Sequence, residues 1–178
     1  MNQRRSFLKS SVALASAISL PALAKNAQAA PGERTLRLYN THTGETVRSV
    51  FWAEGQFIPD ALQDINKVLR DHRNNKIAPI DPQLLVLLNE VSAKFGDNQL
   101  VHVISGYRSP ESNAMLHAHS SGVAKRSMHM DGKAIDIRLP GKDLAQLRKA
   151  AMSMRAGGVG YYPSSQFVHM DTGRVRYW

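Results

Sequence analysis

Two short segments of alternating polarity constrain the fold more than any other part of the sequence. In Ala134–Leu139, Asp136 lies on the opposite strand face from the aliphatic residues, and in Phe167–Asp171, His169 shares a face with Asp171. We therefore expect these two strands to lie in one sheet, with their polar residues on a common face.

A third polar residue, His129, precedes the first of these strands. Gly132 allows the chain to turn between them, so that His129 can fold back over Asp136. Two imidazoles and one carboxylate form a ligand set that suits zinc and leaves a fourth position open for water. Zinc acidifies such water into a nucleophile. The sequence therefore predicts a hydrolytic Zn²⁺ site formed by His129, Asp136 and His169.

The alternative for each histidine is an ordinary surface or hydrogen-bonded side chain. The chain has seven histidines, so chance pairs are easy to find. The complete pattern Ser-x-His-x-x-Gly-x-Ala-x-Asp over residues 127–136, followed by a histidine on a strand, is much more specific than any pair. We assign ordinary roles to the other histidines, and keep His102, on a predicted strand, as a candidate neighbour of the metal site.

A further polar residue follows the predicted strand 100–104. Arg108 lies in the loop Ser105–Pro110, where a guanidinium next to a metal-activated nucleophile can bind a developing oxyanion or a substrate carboxylate. If the loop stood alone, an ordinary surface arginine would be the favoured interpretation. The residues predicted to shape the surrounding cleft are Tyr107, Asn113 and Ser127.

Residues 1–29 have the organisation of an export signal. The pair Arg4-Arg5 is followed by a mildly apolar stretch rich in Ala and Ser, and by small residues that fit an A-x-A cleavage site. The apolar run is shorter than the roughly 20 residues that span a membrane and is interrupted by Pro21, which disfavours a membrane anchor. We predict a cleaved twin-arginine signal peptide, recognition by the twin-arginine export machinery, a mature domain at 30–178 in the periplasm, and no stable membrane insertion after cleavage.

Composition narrows the functional class. The chain contains no cysteine, which excludes disulfides, thiolate metal sites and cysteine nucleophiles. The formal net charge of +9 includes the basic residues of the predicted signal, so the mature chain is only moderately basic. No basic cluster interleaved with aromatic residues is present, so we predict no nucleic-acid partner. An anionic wall polymer fits an exported basic protein, although an ordinary soluble surface explains the same charge.

Hydrophobic periodicity predicts one α+β domain, a mainly antiparallel sheet with packed helices. Strands and helices are mixed without regular βαβ order, and no internal repeat is present. The predicted strands are 35–39, 46–52, 100–104, 134–139, 159–162 and 166–171. The predicted helices are 60–72, 81–95, the first part of 111–126, and 143–155.

Taken together, the motifs resemble one known family. The loop Ser105–Arg108, the pattern Ser127–Asp136, and His169 within Phe-Val-His-Met-Asp-Thr-Gly resemble the zinc D-alanyl-D-alanine carboxypeptidase and murein peptidase family. That family shares its fold with the hedgehog signalling domain. The likeness covers essentially the whole mature chain, and within the family it is strongest to exported murein endopeptidases.

The resemblance implies hydrolysis of a peptide amide between stem peptides of peptidoglycan during cell wall remodelling. It implies that His129, Asp136 and His169 are the zinc ligands and that Arg108 steadies the transition state. The members it resembles most prefer the L,D-type bond that joins two diaminopimelate residues. Two alternatives stay open, a D,D-carboxypeptidase or D,D-endopeptidase of the wall, and a non-catalytic module that keeps zinc and binds peptidoglycan.

One departure from the family pattern concerns the general base. Many relatives have a Glu or Asp three residues before the last ligand histidine, whereas this chain has Gln166, which does not usefully accept a proton. Asp171, on the same strand face as His169, is the substitute candidate, and His102 and Asp131 are weaker ones. Asp171 is equally suited to orient a ligand histidine through a hydrogen bond. Geometry has to decide between these two roles.

Overall fold

The computed structural model describes residues 32–120 and 122–178. The signal peptide predicted at residues 1–29 lies outside the described residues. Within the described part of the chain, no helix is long and apolar enough to cross a membrane.

Strands and helices alternate irregularly along the described residues. The strands are β1 (Arg34–Asn40), β2 (Thr46–Ala53), β3 (Gln56–Phe57), β4 (Leu100–Ser105), β5 (Ala134–Arg138), β6 (Gly158–Tyr162), β7 (Phe167–Asp171) and β8 (Arg176–Tyr177). The helices are α1 (Pro59–Val68), α2 (Pro82–Ala93), α3 (Pro110–His119) and α4 (Leu144–Met154), with a 3-10 helix at Met128–Asp131. The α+β class predicted from the sequence is confirmed.

All of these strands lie in one mixed sheet, in the order β3-β2-β1-β4-β5-β7-β6-β8. The pairs β1–β4 and β6–β8 are parallel, and the other pairs are antiparallel. The sheet is therefore mainly antiparallel, as predicted. Strand β5 lies between β4 and β7 and runs antiparallel to both, so the loop that enters β5 lies at the same end of the sheet as the loops that leave β4 and β7.

One face of the central strands is part of the hydrophobic core. Ile135 and Ile137 of β5 and Val168 and Met170 of β7 are fully buried in a cluster that includes leucines of α2 and α4. A slip of one residue in the pairing of β5 with β7 would turn the polar residues of these strands into this core. The apolar face therefore fixes the register on which the polar face depends.

Three helices begin at Asp or Ser residues whose side chains cap the first turn, a residue type that is typical of helix N-termini. The caps are Asp81 for α2, Ser109 for α3 and Asp143 for α4, and each accepts a hydrogen bond from a backbone N–H of the first turn. Such a cap contributes about 1 kcal/mol to stability. The cap at Ser109 also matters for function, because it fixes the direction in which α3 leaves the loop that carries Arg108.

Helix α1 ends at Val68 and is shorter than the predicted helix 60–72. The carbonyl of Leu69 accepts a hydrogen bond of 2.8 Å from the backbone N–H of Tyr107. The carboxylate of Asp71 accepts one of 2.9 Å from the N–H of Ser109. The bond from Tyr107 occupies a carbonyl that a longer helix would need, and the side chain of Asp71 holds the same loop in place. Tertiary contacts therefore override the local pattern.

Candidate metal centre

The pairing of β5 with β7 places two polar residues side by side. Asp136 lies directly opposite His169 in the register of the two strands, and side chains in this relation lie about 5 Å apart at Cβ. Nδ1 of His169 is 2.8 Å from Oδ1 of Asp136. Both residues are buried, with 5% and 8% of their surfaces exposed. The structure thus brings these residues together on the shared strand face that the alternation predicted.

The 3-10 helix at Met128–Asp131 carries His129 to the same point. Ser127 caps this helix, and Gly132 ends it in the left-handed conformation, with φ of 65°. The chain therefore folds back as the sequence predicted. Nε2 of His129 lies 3.3 Å from the same Oδ1 atom of Asp136.

We expect the substitution Gly132→Ala to lower the free energy of unfolding by more than about 2 kcal/mol. A side chain in the left-handed conformation costs about 1–2 kcal/mol, and a Cβ atom at this position would also overlap the carbonyl oxygen of Pro79. The matched control is Gly141→Ala, because Gly141 has φ of +71° but no atom within 4 Å of such a Cβ. Urea unfolding of both variants measures the difference, and equal losses would contradict the close approach at Pro79.

Each imidazole is held from behind by a hydrogen-bond acceptor. Nδ1 of His129 is 2.7 Å from the carbonyl oxygen of Gly106, and Nε2 of His169 is 3.0 Å from Oδ2 of Asp171. A carbonyl oxygen only accepts, so the partner assigns the proton of His129 to Nδ1. By the same reasoning, His169 carries a proton on Nε2 and donates it in a hydrogen bond to the carboxylate of Asp171. The nitrogens that face Asp136 are then the ones that can bind a cation, once they carry no proton.

His129, Asp136 and His169, which we call the metal-ligand group, fit a metal ion. Their ligand atoms lie within 4.8 Å of one another, and all three side chains are buried. The donor set of two nitrogens and one carboxylate oxygen is one that zinc accepts. Acceptors that orient ligand histidines in this way are typical of metal sites in proteins.

The charges of the metal-ligand group are strongly coupled. Burial opposes protonation of His169, but its hydrogen bonds to Asp136 and Asp171 outweigh burial and raise its pKa to about 9. Burial raises the pKa of Asp136, but the charge and hydrogen bonds of His129 and His169 prevail and hold that pKa well below its usual range. A cation that binds here must therefore displace a proton from His169, so protons and metal compete for the site.

Asp171 lies beneath His169 and has no exposed surface. Its carboxylate accepts hydrogen bonds from the backbone N–H groups of Gly158 and Gly173, from Arg176 through two nitrogens, and from His169. Burial raises its pKa, but the hydrogen bonds from His169 and Arg176 outweigh burial and lower it below its usual range. The residue does not line the cleft above the metal-ligand group.

Arg108 adjoins the metal-ligand group with donors to spare. Its Nη2 lies 3.8 Å from Oδ2 of Asp136, and its hydrogen bonds to Asn113 and Ser105 are both long, at 3.4 Å. Its Nε is buried without any partner among the described residues. Burial lowers the pKa of Arg108, and the charge of Asp136 opposes that effect. A guanidinium that is short of partners is well suited to bind an anionic group.

The loop around Arg108 is anchored on several sides. The backbone N–H of Arg108 donates a hydrogen bond of 3.1 Å to the carbonyl of His129, which ties the arginine to the metal-ligand group. Asn113, buried on α3, donates to the carbonyls of Ala124 and Lys125 and so ties the helix to the loop 122–127. Ser127 lines the cleft as predicted. Tyr107, in contrast, packs against the core and does not line it.

A cleft of about 370 Å³ opens above the metal-ligand group. Among the described residues that line it, Asp136 is the only one with a carboxylate side chain. Gln166 lies in an exposed turn with φ of 56° and donates to the carbonyl of Pro163. Neither Gln166 nor the alternative bases His102 and Asp131 lines the cleft. None of these three residues is therefore part of the cleft surface, where a general base would meet the attacking water.

The sequence did not indicate several of the residues that line the cleft, among them Tyr162, Arg176 and Trp178. Strand β8, which leads to Trp178, has two residues and therefore shows no alternation. The signal that points to Trp178 is Gly160, because a glycine inside a strand marks a place where another group approaches closely.

Comparison with known proteins agrees with this geometry. A model of the family described as "Peptidoglycan L,D-endopeptidase MepK" matches residues 28–178. The chain belongs to the MepK family. The resemblance inferred from the sequence motifs is confirmed.

Curated members of the MepK family are similar to this chain over most of its length. "Peptidoglycan L,D-endopeptidase MepK" of Escherichia coli (strain K12) is 46% identical over 177 residues, which cover 99% of this chain and 97% of that protein. The protein of the same description from Shigella flexneri has the same identity and coverage. "Probable peptidoglycan L,D-endopeptidase MepK" of Haemophilus influenzae is 42% identical over 149 residues, which cover 83% of this chain and 80% of that protein.

Proposed function

We propose that this protein is a zinc-dependent murein endopeptidase that hydrolyses peptide cross-links of peptidoglycan at the L,D bond between two diaminopimelate residues. The observation that carries the proposal is the convergence of His129, Asp136 and His169 beside Arg108 in one cleft. Similarity to the MepK relatives supports the choice of bond, since those relatives are described as L,D-endopeptidases. The proposed biological role is remodelling of the cell wall.

The metal-ligand group would hold zinc, with the far nitrogens of the imidazoles fixed by Gly106 and Asp171. When bound, zinc supplies a Lewis acid that polarises the scissile carbonyl and acidifies water. Arg108 binds the negative charge that develops on the carbonyl oxygen, using donors that have only weak partners or none in the free protein. Ser105 and Asn113 keep its guanidinium directed at the cleft.

The charge of the cleft supports an anionic substrate. Three arginines, Arg108, Arg126 and Arg176, line it, and the side-chain carboxylate in its lining is that of Asp136. The charge of Arg176 is paired with Asp171, so Arg108 and Arg126 supply the positive charge of the cleft. Stem peptides of peptidoglycan carry free carboxylates, so charge complementarity favours their approach. Asp171 is enclosed by its hydrogen bonds. We therefore propose that its role is to orient His169, and that it does not transfer a proton to or from the substrate.

We expect Asp171→Asn to lower zinc affinity by about 10–100-fold, the usual effect of losing a group that orients a ligand histidine. The amide keeps the shape of the side chain but offers one acceptor oxygen in place of two, so several of the partners of Asp171 go unsatisfied. Zinc titration and turnover at saturating zinc separate the two roles. A general base would instead show an unchanged zinc affinity and a large loss of kcat.

We further infer export to the periplasm by the twin-arginine route. The support is the Arg4-Arg5 pair with its Ala- and Ser-rich apolar stretch, and a substrate class that lies outside the cytoplasmic membrane. A fusion of residues 1–29 to a reporter should be exported, and replacing both arginines by lysine should retain it in the cytoplasm.

The activity is tested by digestion of purified sacculi with the metal-loaded protein, with and without a chelator. Mass spectrometry of the products should show loss of diaminopimelate–diaminopimelate cross-links only when the metal is present. Loss of D-alanine or of D,D cross-links would identify a D,D-peptidase instead. Binding to sacculi with unchanged cross-linking would identify a non-catalytic module and refute the proposal.

A further inference from the structure

Trp178 is a large side chain beside the metal-ligand group to which the proposed mechanism assigns no task. Its ring centroid lies 5.3 Å from that of His169, and 46% of the residue remains exposed. It lines the same cleft as the metal-ligand group, together with Tyr162 and Phe167. We call these three residues, Tyr162, Phe167 and Trp178, the aromatic wall.

The aromatic wall is held as one unit. The rings of Tyr162 and Phe167 are stacked, with centroids 4.6 Å apart. The indole Nε1 of Trp178 donates a hydrogen bond of 2.8 Å to the hydroxyl of Tyr162. The guanidinium of Arg176, which is fixed by Asp171, lies 5.0 Å from the ring centre of Trp178. These contacts hold the three rings together in the protein without substrate.

The backbone beneath the indole is shaped to receive it. The N–H of Trp178 donates to the carbonyl of Val159, and its carbonyl accepts from the N–H of Tyr161. Gly160 lies between these two residues on β6, directly opposite His169 in the register. A Cβ atom at Gly160 would lie 2.7 Å from ring atoms of Trp178. The absence of a side chain there allows the indole to lie against the sheet next to the metal-ligand group.

We propose that the aromatic wall, with Trp178 as its main contact, determines substrate specificity by binding the methylene chain of a diaminopimelate residue at the scissile cross-link. This inference rests on the proposed function. The wall offers apolar ring surface in a cleft whose other lining is largely polar and cationic. Diaminopimelate combines an aliphatic chain with charged ends, and an apolar surface between cationic groups is complementary to that combination.

The experiment compares two synthetic cross-linked muropeptides, one joined through diaminopimelate and one through a diamino acid with a shorter methylene chain. For the unmodified protein we expect kcat/KM to be higher for the diaminopimelate substrate by on the order of ten-fold, the effect of burying one or two methylene groups. Trp178→Ala should lose most of this preference, mainly through a higher KM for the longer substrate. Trp178→Phe should keep part of it.

A second route to the same wall uses Gly160→Ala, which displaces the indole without removing it. We expect it to lower the preference for the longer substrate, and to add little to the effect of Trp178→Ala in the double variant. The matched control is Tyr177→Ala, because Tyr177 is adjacent, exposed and bonded to Met152 but does not line the cleft. That control should keep the preference of the unmodified protein.

Zinc content and thermal midpoint are measured for every variant, since Trp178 also contacts a proposed ligand histidine. An unchanged substrate preference in Trp178→Ala with normal zinc content would overturn the inference. So would a fall in kcat and zinc content with no change in the preference, because that result assigns Trp178 to the support of His169. If the unmodified protein cleaves neither substrate, the proposed function itself fails.

Discussion

Asp136→Asn should lose bound zinc and cross-link hydrolysis together. Oδ1 of Asp136 is the atom on which the site converges, at 3.3 Å from Nε2 of His129 and 2.8 Å from Nδ1 of His169. The amide keeps the volume of the side chain but removes the negative charge that a cation needs among these imidazoles. Loss of a supporting hydrogen bond already costs about 10–100-fold in metal affinity, so loss of this ligand should cost more than that.

Zinc stoichiometry after dialysis and the thermal midpoint with and without a chelator measure this effect. A ligand present at about a thousand times its dissociation constant stabilises the folded state by about 4 kcal/mol. The unmodified protein should therefore lose stability when the chelator is added, and Asp136→Asn should not respond. The matched control is Asp131→Asn, an exposed residue of the 3-10 helix that does not line the cleft. A chelator-sensitive, active Asp136→Asn variant would disprove the ligand assignment.

The metal-ligand group could be predicted from the sequence because local rules determine its geometry. Alternation on β5 and β7 placed Asp136 and His169 on a polar face, and Gly132 predicted the turn that returns His129 to them. The register between the two strands is not determined by local sequence alone. It depends on which aliphatic residues enter the core, and the clean alternation of both strands left few possible registers.

The surroundings of the metal-ligand group were less predictable because they depend on contacts between distant segments. The position of Gln166 indicated that the usual base is missing, but nothing in the sequence showed that Asp171 is enclosed by Gly158, Gly173 and Arg176. The early end of α1 has the same origin, since Leu69 binds a loop that lies far along the chain. Trp178 follows a two-residue strand that has no periodicity to detect.

Arg108→Gln should lower kcat by about 100–1000-fold while zinc content stays the same, the usual effect of removing one donor to a developing oxyanion. The side chain of Arg108 meets the metal-ligand group at Asp136, at 3.8 Å, whereas its hydrogen bond to the carbonyl of His129 comes from the backbone and remains in the variant. The substitution therefore leaves the proposed ligand atoms in place. Arg108→Lys should recover only part of the activity, because an ammonium keeps the charge but lacks the planar donor fork. The loss should appear in kcat more than in KM, since the carbonyl oxygen gains its charge only during the reaction.

The matched control for this prediction is Arg126→Gln, which removes one positive charge from the same cleft. Arg126 is exposed and has no ion pair with Asp136, so its loss should weaken the general attraction of anionic substrate and raise KM by a few-fold, with little change in kcat. Added salt should reduce the effect of Arg126→Gln, because exposed charges are screened. It should leave the effect of Arg108→Gln almost unchanged, because this guanidinium is only 11% exposed and acts at contact distance. Equal losses of kcat in the two variants would mean that net positive charge, and not the placement of Arg108 beside Asp136, carries the catalytic effect.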